Sequence, residues 1–511
     1  MSEAVKTKQG TAPSGGLPPM PETIELAPSK EPMDVKRIIF ILLGLALFAV
    51  FYFAPELPSA TDPAGKVFHL SRQGQLAVGL FLMAGLWWVF EVVPIGITSV
   101  AIGVMQALFH IRDAKAAFSD FLDPSVWFIF GSLVLGVSFT STGLTKRMAY
   151  KMLNIVGERT NIILLGTFLT VAAMTHLMAH TAVAAAMFPL LMAIHALYTD
   201  GKDEKTKFGK ALFIGMAYVA GAGSICTFLG AARGVAAAGM YKNATGMDVG
   251  FFELSMYMIP VGWVMVFLIW LMMIIFFKPE KDRIVGLKER VAKLSSELGP
   301  MTTNEKFVIL CTVVVVGLFV AKSFIPAMAD ISRAGIILVS TLLFFIFKIL
   351  GVKDLEGLPL NILLLFGGAM SIGFCLWDTG AATWMAVHWL TWFLNAHWLV
   401  FLLSIAFFVL IMTNFIMNVA AIAISLPVAL VIAGYLGVSP QVVLFSALVT
   451  AGMPFNLLIG AAPNAIAYES EQFTTGDFFL YGWPANVVLM AVLTVAILVV
   501  WPLLGMPILV K

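Results

Sequence analysis

Long apolar runs follow one another along the chain, separated by short polar segments. They lie at about residues 38–54, 73–91, 93–110, 124–145, 161–198, 211–241, 252–277, 307–324, 331–348, 359–380, 396–434, 441–467 and 481–506. Eleven of them have a length that crosses a hydrocarbon core of about 30 Å as one helical span, straight or broken. The pattern therefore predicts an all-α polytopic membrane protein with about eleven transmembrane helices.

The two remaining runs are too long for a single span. Residues 161–198 and 396–434 would each form a helix of about 57 Å, nearly twice the thickness of the core. Each run is interrupted at its middle by polar residues, at positions 179–181 (Ala-His-Thr) and 417–419 (Met-Asn-Val). We therefore predict two re-entrant hairpins, whose tips must be covered by protein or water.

The positive charges support this topology independently of length. With the N-terminus in the cytoplasm and eleven spans, 22 of the 31 Lys and Arg residues fall on the cytoplasmic side and seven on the other. This distribution follows the positive-inside rule. Residues 144–160 and 199–210, which flank the first hairpin, each carry four positive charges. They should therefore lie on the same side of the membrane.

An internal repeat relates the two halves of the chain. The spacing from Thr142 to His180 is nearly the same as from Thr379 to Asn418, and residues 230–232 and 460–462 are both Gly-Ala-Ala. The fourth and ninth spans run in opposite directions, so the repeat is inverted, as is typical of secondary transporters with a site at the membrane midplane. The predicted organisation is a disordered cytoplasmic tail (1–36), the first span with the first repeat (37–277), a cytoplasmic linker helix (278–306) and the second repeat (307–511).

Composition excludes several classes of protein. Hydrophobic residues make up 60% of the chain and charged residues 12%, about half the usual share of charge in soluble domains, which excludes a soluble enzyme and a disordered protein. The net charge of +2 and the lack of a basic patch give no reason to expect nucleic acid binding. Metalloprotease, hydrolase and P-loop motifs are absent from the sequence, so we predict no enzymatic activity and no organic cofactor.

The hairpin tips are the first candidates for chemistry. The second arm of each hairpin begins with free backbone N–H groups and the positive end of a helix dipole, which suits an anion. His180, Thr181 and Asn418 are the polar residues at the tips. Arg233 lies within a span, where it could neutralise a substrate carboxylate or stand in the place of a cation. Glycine-rich breaks at 221–224 and 451–454 could offer backbone carbonyls to a small cation.

Two sequence segments are similar to a known family. Residues 460–466 (Gly-Ala-Ala-Pro-Asn-Ala-Ile), followed by 473–479 (Phe-Thr-Thr-Gly-Asp-Phe-Phe), and residues 90–95 (Phe-Glu-Val-Val-Pro-Ile) resemble motifs of the divalent anion/sodium symporters, which carry dicarboxylates, citrate and sulfate. The resemblance covers about residues 75–505. It implies eleven spans with two hairpins, a scaffold domain that dimerises and a transport domain that moves as an elevator.

The resemblance and the polar breaks together give the candidate site. The predicted substrate-binding residues are Ala179, His180, Thr181, Arg233, Met417, Asn418, Val419, Ala461 and Ala462, and the predicted cation-binding residues are Thr175, Gly223, Thr413, Asn418 and Gly460. The family carries Ser-Asn-Thr at both tips, and only Thr181 and Asn418 match that motif here. The Thr-Pro of the family's tenth span is replaced by Ala461-Ala462, and its Thr-Pro-Pro-Asn by residues 231–234 (Ala-Ala-Arg-Gly).

These observations predict a homodimeric secondary active transporter of small organic or inorganic anions, di- or tricarboxylate-like, in a plasma or bacterial inner membrane. Sodium-coupled symport is the first hypothesis. A sodium-independent anion exchanger, or a proton-coupled carrier with His180 and Arg233 as fixed charges, is the second. An anion channel is the alternative of another class. The apolar Met417, Val419 and Ala461 suggest an anion with one strong acidic end, or one larger and less polar than succinate.

Overall fold

A computed structural model describes residues 35–62, 65–202, 204–328, 330–390 and 396–510. The predicted cytoplasmic tail lies outside the described residues up to position 34. The described chain is helical apart from its connections and two short strands, β1 (Ala60–Thr61) and β2 (Val67–Phe68). The strands pair antiparallel, with Ala60 opposite Phe68. This agrees with the predicted all-α class.

The helices of the first half are α1 (Val35–Phe53), α2 (Arg72–Val89), α3 (Ile95–Leu108), α4 (Ala114–Ser119), α5 (Pro124–Ser141), α6 (Leu144–Val156), α7 (Thr160–Thr175), α8 (His180–Tyr198), α9 (Lys207–Ser224), α10 (Ala232–Thr245) and α11 (Phe251–Phe276), with a 3-10 turn at Asp120–Leu122. Helix α12 (Leu287–Glu297) lies in the predicted linker. The second half continues with α13 (Thr303–Phe324), α14 (Arg333–Ile346), α15 (Val352–Glu356), α16 (Leu360–Asp378), α17 (Ala381–Leu390), α18 (Trp398–Phe415), α19 (Asn418–Tyr435), α20 (Pro440–Ala451), α21 (Ala462–Tyr468), α22 (Thr475–Val495) and α23 (Trp501–Leu503). Short 3-10 turns occur at Pro326–Met328 and Leu458–Gly460, and a π-helical turn at Ala496–Val500 joins α22 to α23.

Polar contacts near the helix ends show that the connections between helices lie on two faces of the molecule. The linker face, which carries residues 278–306, holds the contacts Arg147–Glu305, Ser141–Asp354 and Lys210–Asp477. The strand face, which carries β1 and β2, holds Arg333–Asp248, Arg112–Asp378 and Gln441–Glu253. Between these faces the described residues make eleven crossings, by α1, α2, α3, α5, α9–α10, α11, α13, α14, α16, α20–α21 and α22.

The first hairpin consists of α7 and α8, which are separated by a non-helical tip at residues 176–179. Lys281 contacts both ends of the hairpin. Its carbonyl accepts a hydrogen bond from the Thr160 hydroxyl (2.7 Å), and its Nζ donates to the Tyr198 carbonyl (2.6 Å). Because Thr160 begins α7 and Tyr198 ends α8, the chain returns to the linker face from which it started. The predicted re-entrant hairpin is confirmed.

The second hairpin consists of α18 and α19, with its tip at residues 416–417. Trp384, just before the hairpin, donates from Nε1 to the Pro58 carbonyl (3.0 Å). Tyr435, at its end, donates from its hydroxyl to Asp62 Oδ2 (3.2 Å). Both contacts lie beside β1, so this hairpin enters and leaves on the strand face. The two hairpins therefore enter from opposite faces, as the predicted inverted repeat requires.

Length and composition alone do not separate hairpin arms from spans. Eight of the described helices are long and apolar enough to cross a membrane, and three of these eight are the hairpin arms α8, α18 and α19. Several true crossings, such as α14, are shorter apolar helices. The positions of the helix ends, rather than the helix lengths, define the topology.

Close packing of α3 against α16 holds the spans outside the hairpins together. A Cβ atom added at Gly368 would lie 2.3 Å from the Ser99 Cβ, so only glycine allows the two helices to approach this closely. Beside this contact, Gln106 Nε2 donates to Ser371 Oγ (2.8 Å), and both side chains are buried. Small residues and interhelical hydrogen bonds are the means by which helices associate in lipid.

Glu280 ties the first hairpin to the start of α9 on the linker face. Its carboxylate accepts hydrogen bonds from the Lys207 N–H (2.6 Å) and the Tyr198 hydroxyl (2.9 Å). Burial raises the pKa of Glu280, but the Lys207 N–H and the Tyr198 hydroxyl outweigh burial and hold the pKa below its ordinary value. The ionised carboxylate is therefore the form that stabilises this contact.

The hairpin topology predicts the accessibility of single cysteines. In a variant whose native Cys226, Cys311 and Cys375, all buried, are replaced by Ala, the substitutions Lys151→Cys and Lys202→Cys should react with a membrane-impermeant maleimide from the same side. Lys66→Cys and Lys242→Cys should react only from the other side. Labelling of position 202 together with position 66 would contradict the hairpin.

The Glu280 contact predicts a pH-dependent change in stability. Because the pKa of Glu280 is lowered in the folded state, its contribution is present above the pKa of the unfolded chain and is lost as pH falls through the folded value. Glu280→Gln should lower the Tm of the detergent-solubilised protein at pH 7, and the difference should shrink below about pH 4. Glu289→Gln, exposed on α12, is the control and should leave Tm unchanged. A Tm difference for Glu280→Gln that is equal at both pH values would refute this assignment.

Candidate anion-binding site

The two hairpin tips meet at one cavity of about 450 Å³ in the interior of the molecule. The starts of α10 and α21, which follow the breaks in the fifth and tenth spans, complete this side of the cavity. All nine predicted substrate-binding residues line it, namely Ala179, His180, Thr181, Arg233, Met417, Asn418, Val419, Ala461 and Ala462. The structure therefore brings together residues that lie almost 300 positions apart. Their role in binding stays a prediction.

Several helices point their N-terminal ends at this cavity. Helices α8, α10 and α19 contain 19, 14 and 18 residues and begin at His180, Ala232 and Asn418. Their N-cap residues are Ala179, Ala231 and Met417, and none of these three makes a side-chain cap hydrogen bond in the described structure. The first turns therefore present backbone N–H groups and the positive ends of three helix dipoles. Such an arrangement attracts a negative charge.

The first tip is held against the break of the fifth span. The His180 N–H donates to the Gly230 carbonyl (3.0 Å). A Cβ atom added at Gly230 would lie 2.4 Å from the Thr175 carbonyl, so glycine is required for this close approach. His180 Nδ1 is buried and has no hydrogen-bond partner among the described residues. His180 therefore lines the cavity with a ring nitrogen whose hydrogen-bonding capacity is unused within the described residues.

Arg233 places a buried positive charge between the two broken spans. Its side chain is 3% exposed, and Nη2 donates to Ser224 Oγ (2.7 Å) at the end of α9. The same nitrogen is 2.8 Å from the position of a Cβ added at Gly452, which follows α20. Nη1 is buried without a partner among the described residues. A buried guanidinium without a paired carboxylate favours a bound anion nearby.

The second tip carries a cluster of oxygen atoms. The Thr413 hydroxyl lies 2.8 Å from Asn418 Oδ1 and 3.0 Å from the Ala451 carbonyl oxygen. A hydroxyl has one hydrogen, so these three oxygens share a single donor. Gly460 packs directly on this cluster, because a Cβ added there would lie 2.8 Å from the Thr413 carbonyl. Hydroxyl, amide and carbonyl oxygens are the ligands that suit a hard cation, so the residues fit sodium.

The predicted cation-binding residues fall into two separate groups. Thr413, Asn418 and Gly460 belong to the oxygen cluster at the second tip. Thr175 and Gly223 lie together in the first half, where a Cβ added at Gly223 would be 2.4 Å from Thr175 Oγ1. The Thr175 hydroxyl, however, donates to the carbonyl of Ala172 within its own helix (2.7 Å). Among the predicted residues, the first group has one side-chain oxygen, that of Thr175, whereas the second group has two, those of Thr413 and Asn418.

The opposite wall of the cavity was not predicted from the sequence. It is formed by apolar residues of α5, by Leu358 just before α16 and by apolar residues of the first turns of α16. These residues are Ile129, Leu133, Val137, Leu358, Ile362 and Phe366. On each helix these residues recur every four positions, which places them on one face. The same spacing is common to any helix that packs against a core, so it carries no signal specific to a site.

The chain matches the family described as "Sodium:sulfate symporter transmembrane region" over residues 41–507. The sodium-dependent dicarboxylate transporter SdcS of Staphylococcus saprophyticus is 24% identical over 495 residues, which cover 92% of this chain and 93% of that protein. SdcS of Staphylococcus aureus (strain USA300) is 24% identical over 498 residues, with 93% of each chain covered.

Two solved structures have a similar fold. The transporter YdaH of Alcanivorax borkumensis has a TM-score of 0.55 at 14% identity, covering 92% of this chain and 98% of its own. MtrF of Neisseria gonorrhoeae, described as illuminating a class of antimetabolite efflux pumps, has a TM-score of 0.54 at 14% identity, covering 90% of this chain and 93% of its own. At this identity the similarity shows the fold alone.

The family match extends over nearly the whole helical part of the chain. It agrees with the resemblance carried by residues 460–466 and 473–479. The protein is a multi-pass plasma membrane transporter rather than an enzyme, and it belongs to the sodium:sulfate symporter family of divalent anion/sodium symporters.

Proposed function

We propose that this protein is a sodium-coupled secondary transporter of small organic anions, and that the anion binds between the two hairpin tips. The observation that carries the proposal is the convergence of three uncapped helix N-termini and the buried Arg233 on one cavity. The printed names of the relatives SdcS give sodium and dicarboxylates, which supports this class of substrate and coupling ion.

Coupling is proposed to use one sodium ion at the second tip. Thr413, Asn418 and the Ala451 carbonyl would hold the ion, which supplies positive charge beside the anion. In the first half, Arg233 occupies the space between Ser224 and Gly452 and provides a fixed charge instead. Because Asn418 begins α19 and also belongs to the oxygen cluster, the cation and the anion would share one residue, which links their binding.

Movement is proposed to follow an elevator mechanism. The transport unit would consist of the two hairpins, α9–α10, α11, α20–α21 and α22. It would move against a scaffold that includes α1–α3, α5, α13, α14 and α16.

The mouth of the cavity carries Thr140, Ser141 and Pro359, which are exposed and lie toward the linker face. The positive charges of that face make it cytoplasmic, so the site is open to the inside. The cytoplasmic N-terminus, the domain boundaries and the homodimer belong to the same proposal.

A sodium-independent anion exchanger, or a proton-coupled carrier, is the second candidate, favoured by the position of Arg233. A guanidinium fixed in the protein cannot dissociate, so it would keep the site positively charged in the absence of any cation. His180, whose Nδ1 has no partner among the described residues, is the candidate proton-binding group of this alternative.

Sodium dependence distinguishes these candidates. In proteoliposomes, uptake of a labelled carboxylate (succinate, citrate or octanoate) should require an inward sodium gradient, with a Hill coefficient for sodium near one, as one site predicts. Uptake should saturate and show counterflow, which a channel would not. Unchanged transport in choline buffer that needs an internal anion would establish the exchanger, whereas dependence on an inward proton gradient would establish proton coupling.

Removal of the Thr413 hydroxyl should weaken sodium binding. Thr413→Val keeps the shape of the side chain but deletes one of the three clustered oxygens, so the sodium concentration for half-maximal uptake should rise about tenfold, which corresponds to about 1.4 kcal/mol. Thr450→Val is the matched control, because the Thr450 hydroxyl is buried on α20 and donates to the Ser446 carbonyl. Equal effects of the two substitutions would exclude Thr413 from the cation site.

The tip residues and Arg233 should be required for transport. His180→Ala and Asn418→Ala should abolish uptake while expression and Tm remain near wild type. Wild-type uptake in all of the tip variants would remove the tips from the site.

Arg233→Met keeps roughly the volume of the side chain but removes the charge, so the KM for the anion should rise at least tenfold. Ser224→Ala removes the hydrogen bond that holds the guanidinium but keeps its charge, so it should raise the KM for the anion less than Arg233→Met does.

A further inference from the structure

We infer that the anion carried by this protein has a single acidic group and an apolar tail, and that the tail lies along the wall formed by α5 and α16. This inference rests on the proposed anion site and names the chemistry of its substrate. It departs from the dicarboxylates that the names of the SdcS relatives give.

The polar groups of the cavity are concentrated in its first half. His180, Thr181 and Arg233 belong to the first tip and the fifth span, and Asn418 is the polar side chain contributed by the second tip. Among the described lining residues, His180 and Arg233 are the ones that can carry charge, and none is acidic. Asn418 Oδ1 already accepts from the Thr413 hydroxyl (2.8 Å), so its amide hydrogens are what it offers to a ligand. Arg233 is the one of these two that stays charged at every physiological pH, so the lining side chains supply one permanent positive charge, which one acidic group neutralises.

The second half of the cavity offers methyl groups and a thioether. Met417 and Val419 flank Asn418 at the tip, and Ala461 and Ala462 stand at the start of α21. None of these side chains donates a hydrogen bond. A second carboxylate placed against them would lose its hydration without compensating side-chain partners, which is unfavourable for a charged group. Met417 is flexible and can adapt its shape to apolar tails of different form.

The apolar wall continues away from the tips toward the mouth. Ile129, Leu133 and Val137 on α5 and Ile362 and Phe366 on α16 line this wall together. The exposed hydroxyl groups of Thr140 and Ser141 mark its outer end. The volume of about 450 Å³ lies in the range of sites that hold drug-sized ligands, which is far more than a four-carbon diacid fills. The remaining space is lined mainly by apolar side chains, which suits a chain of several methylene groups.

A homologous series of acids tests this inference. The purified full-length protein is titrated in sodium buffer with butanoate, hexanoate, octanoate and decanoate, and separately with succinate, adipate and suberate, and apparent Kd is obtained from the thermal shift. For monocarboxylates, Kd should fall up to about fourfold for each added methylene until the tail fills the cavity. Each diacid should bind at least tenfold more weakly than the monocarboxylate of equal length.

Variants separate binding in the cavity from nonspecific apolar binding. Val137→Phe narrows the cavity beside the wall, so the gain in affinity with chain length should end at shorter acids than in the wild type, and the Kd of butanoate should change least. Leu342→Phe, on α14 and 61% exposed, is the matched control and should leave the whole series unchanged. Arg233→Met should weaken the binding of every acid, because the common acidic group loses its charged partner.

The outcomes distinguish this inference from the proposed function. If diacids bind most tightly, or if chain length has no effect, the single-acid substrate is refuted while anion transport stands. If long acids bind equally well to wild type, Val137→Phe and Arg233→Met, the binding is to lipid or detergent and the inference is refuted. If no anion binds or is transported with or without sodium, the proposed function fails as well.

Discussion

Backbone N–H and C=O groups that leave a helix halfway through a bilayer must find partners within the protein, because the hydrocarbon offers none. Four helix breaks at the midplane make this the constraint on which the structure depends. At the break of the tenth span, Asn414 Oδ1 accepts from the N–H groups of Asn456 (2.8 Å) and Leu457 (3.3 Å). At the same break, Asn464 Nδ2 donates a hydrogen bond to the Pro454 carbonyl (2.8 Å).

In the first half of the chain, different residues form hydrogen bonds with the backbone groups at the helix breaks. The Thr227 hydroxyl donates to the His176 carbonyl (2.9 Å), and Gly230 accepts from the His180 N–H (3.0 Å). The inverted repeat therefore keeps the geometry of the breaks but not their chemistry. Arg233 brings a fixed charge to the first half, whereas the second half keeps a cluster of oxygens. This asymmetry underlies both the proposed coupling to one cation and the proposed single acidic group of the substrate.

The topology could be predicted from the sequence because it depends on quantities that the sequence contains. The excess length of residues 161–198 and 396–434, the polar residues at their middle and the charges of 144–160 and 199–210 all indicated hairpins. Lys281, which contacts both ends of the first hairpin, was not singled out by any pattern. The apolar wall of α5 and α16 was also missed, since its spacing of four residues is shared by every helix that packs on a core. Contacts of this kind depend on the relative placement of helices.

Hydrophobic length and charge act locally along the chain. The number of crossings, the two breaks of each repeat and the residue types at the tips can therefore be predicted without a structure. How those residues are used depends on tertiary packing. Arg233 is visible in the sequence as a charge at depth, but its reach toward Ser224 and Gly452 follows from how α9, α10 and α20 pack. The Thr413 hydroxyl donates to Asn418 at the hairpin tip, whereas the Thr175 hydroxyl donates within its own helix, and this difference has the same reason. A hydrogen-bond partner is selected by distances of a few ångströms, and packing between distant segments sets those distances.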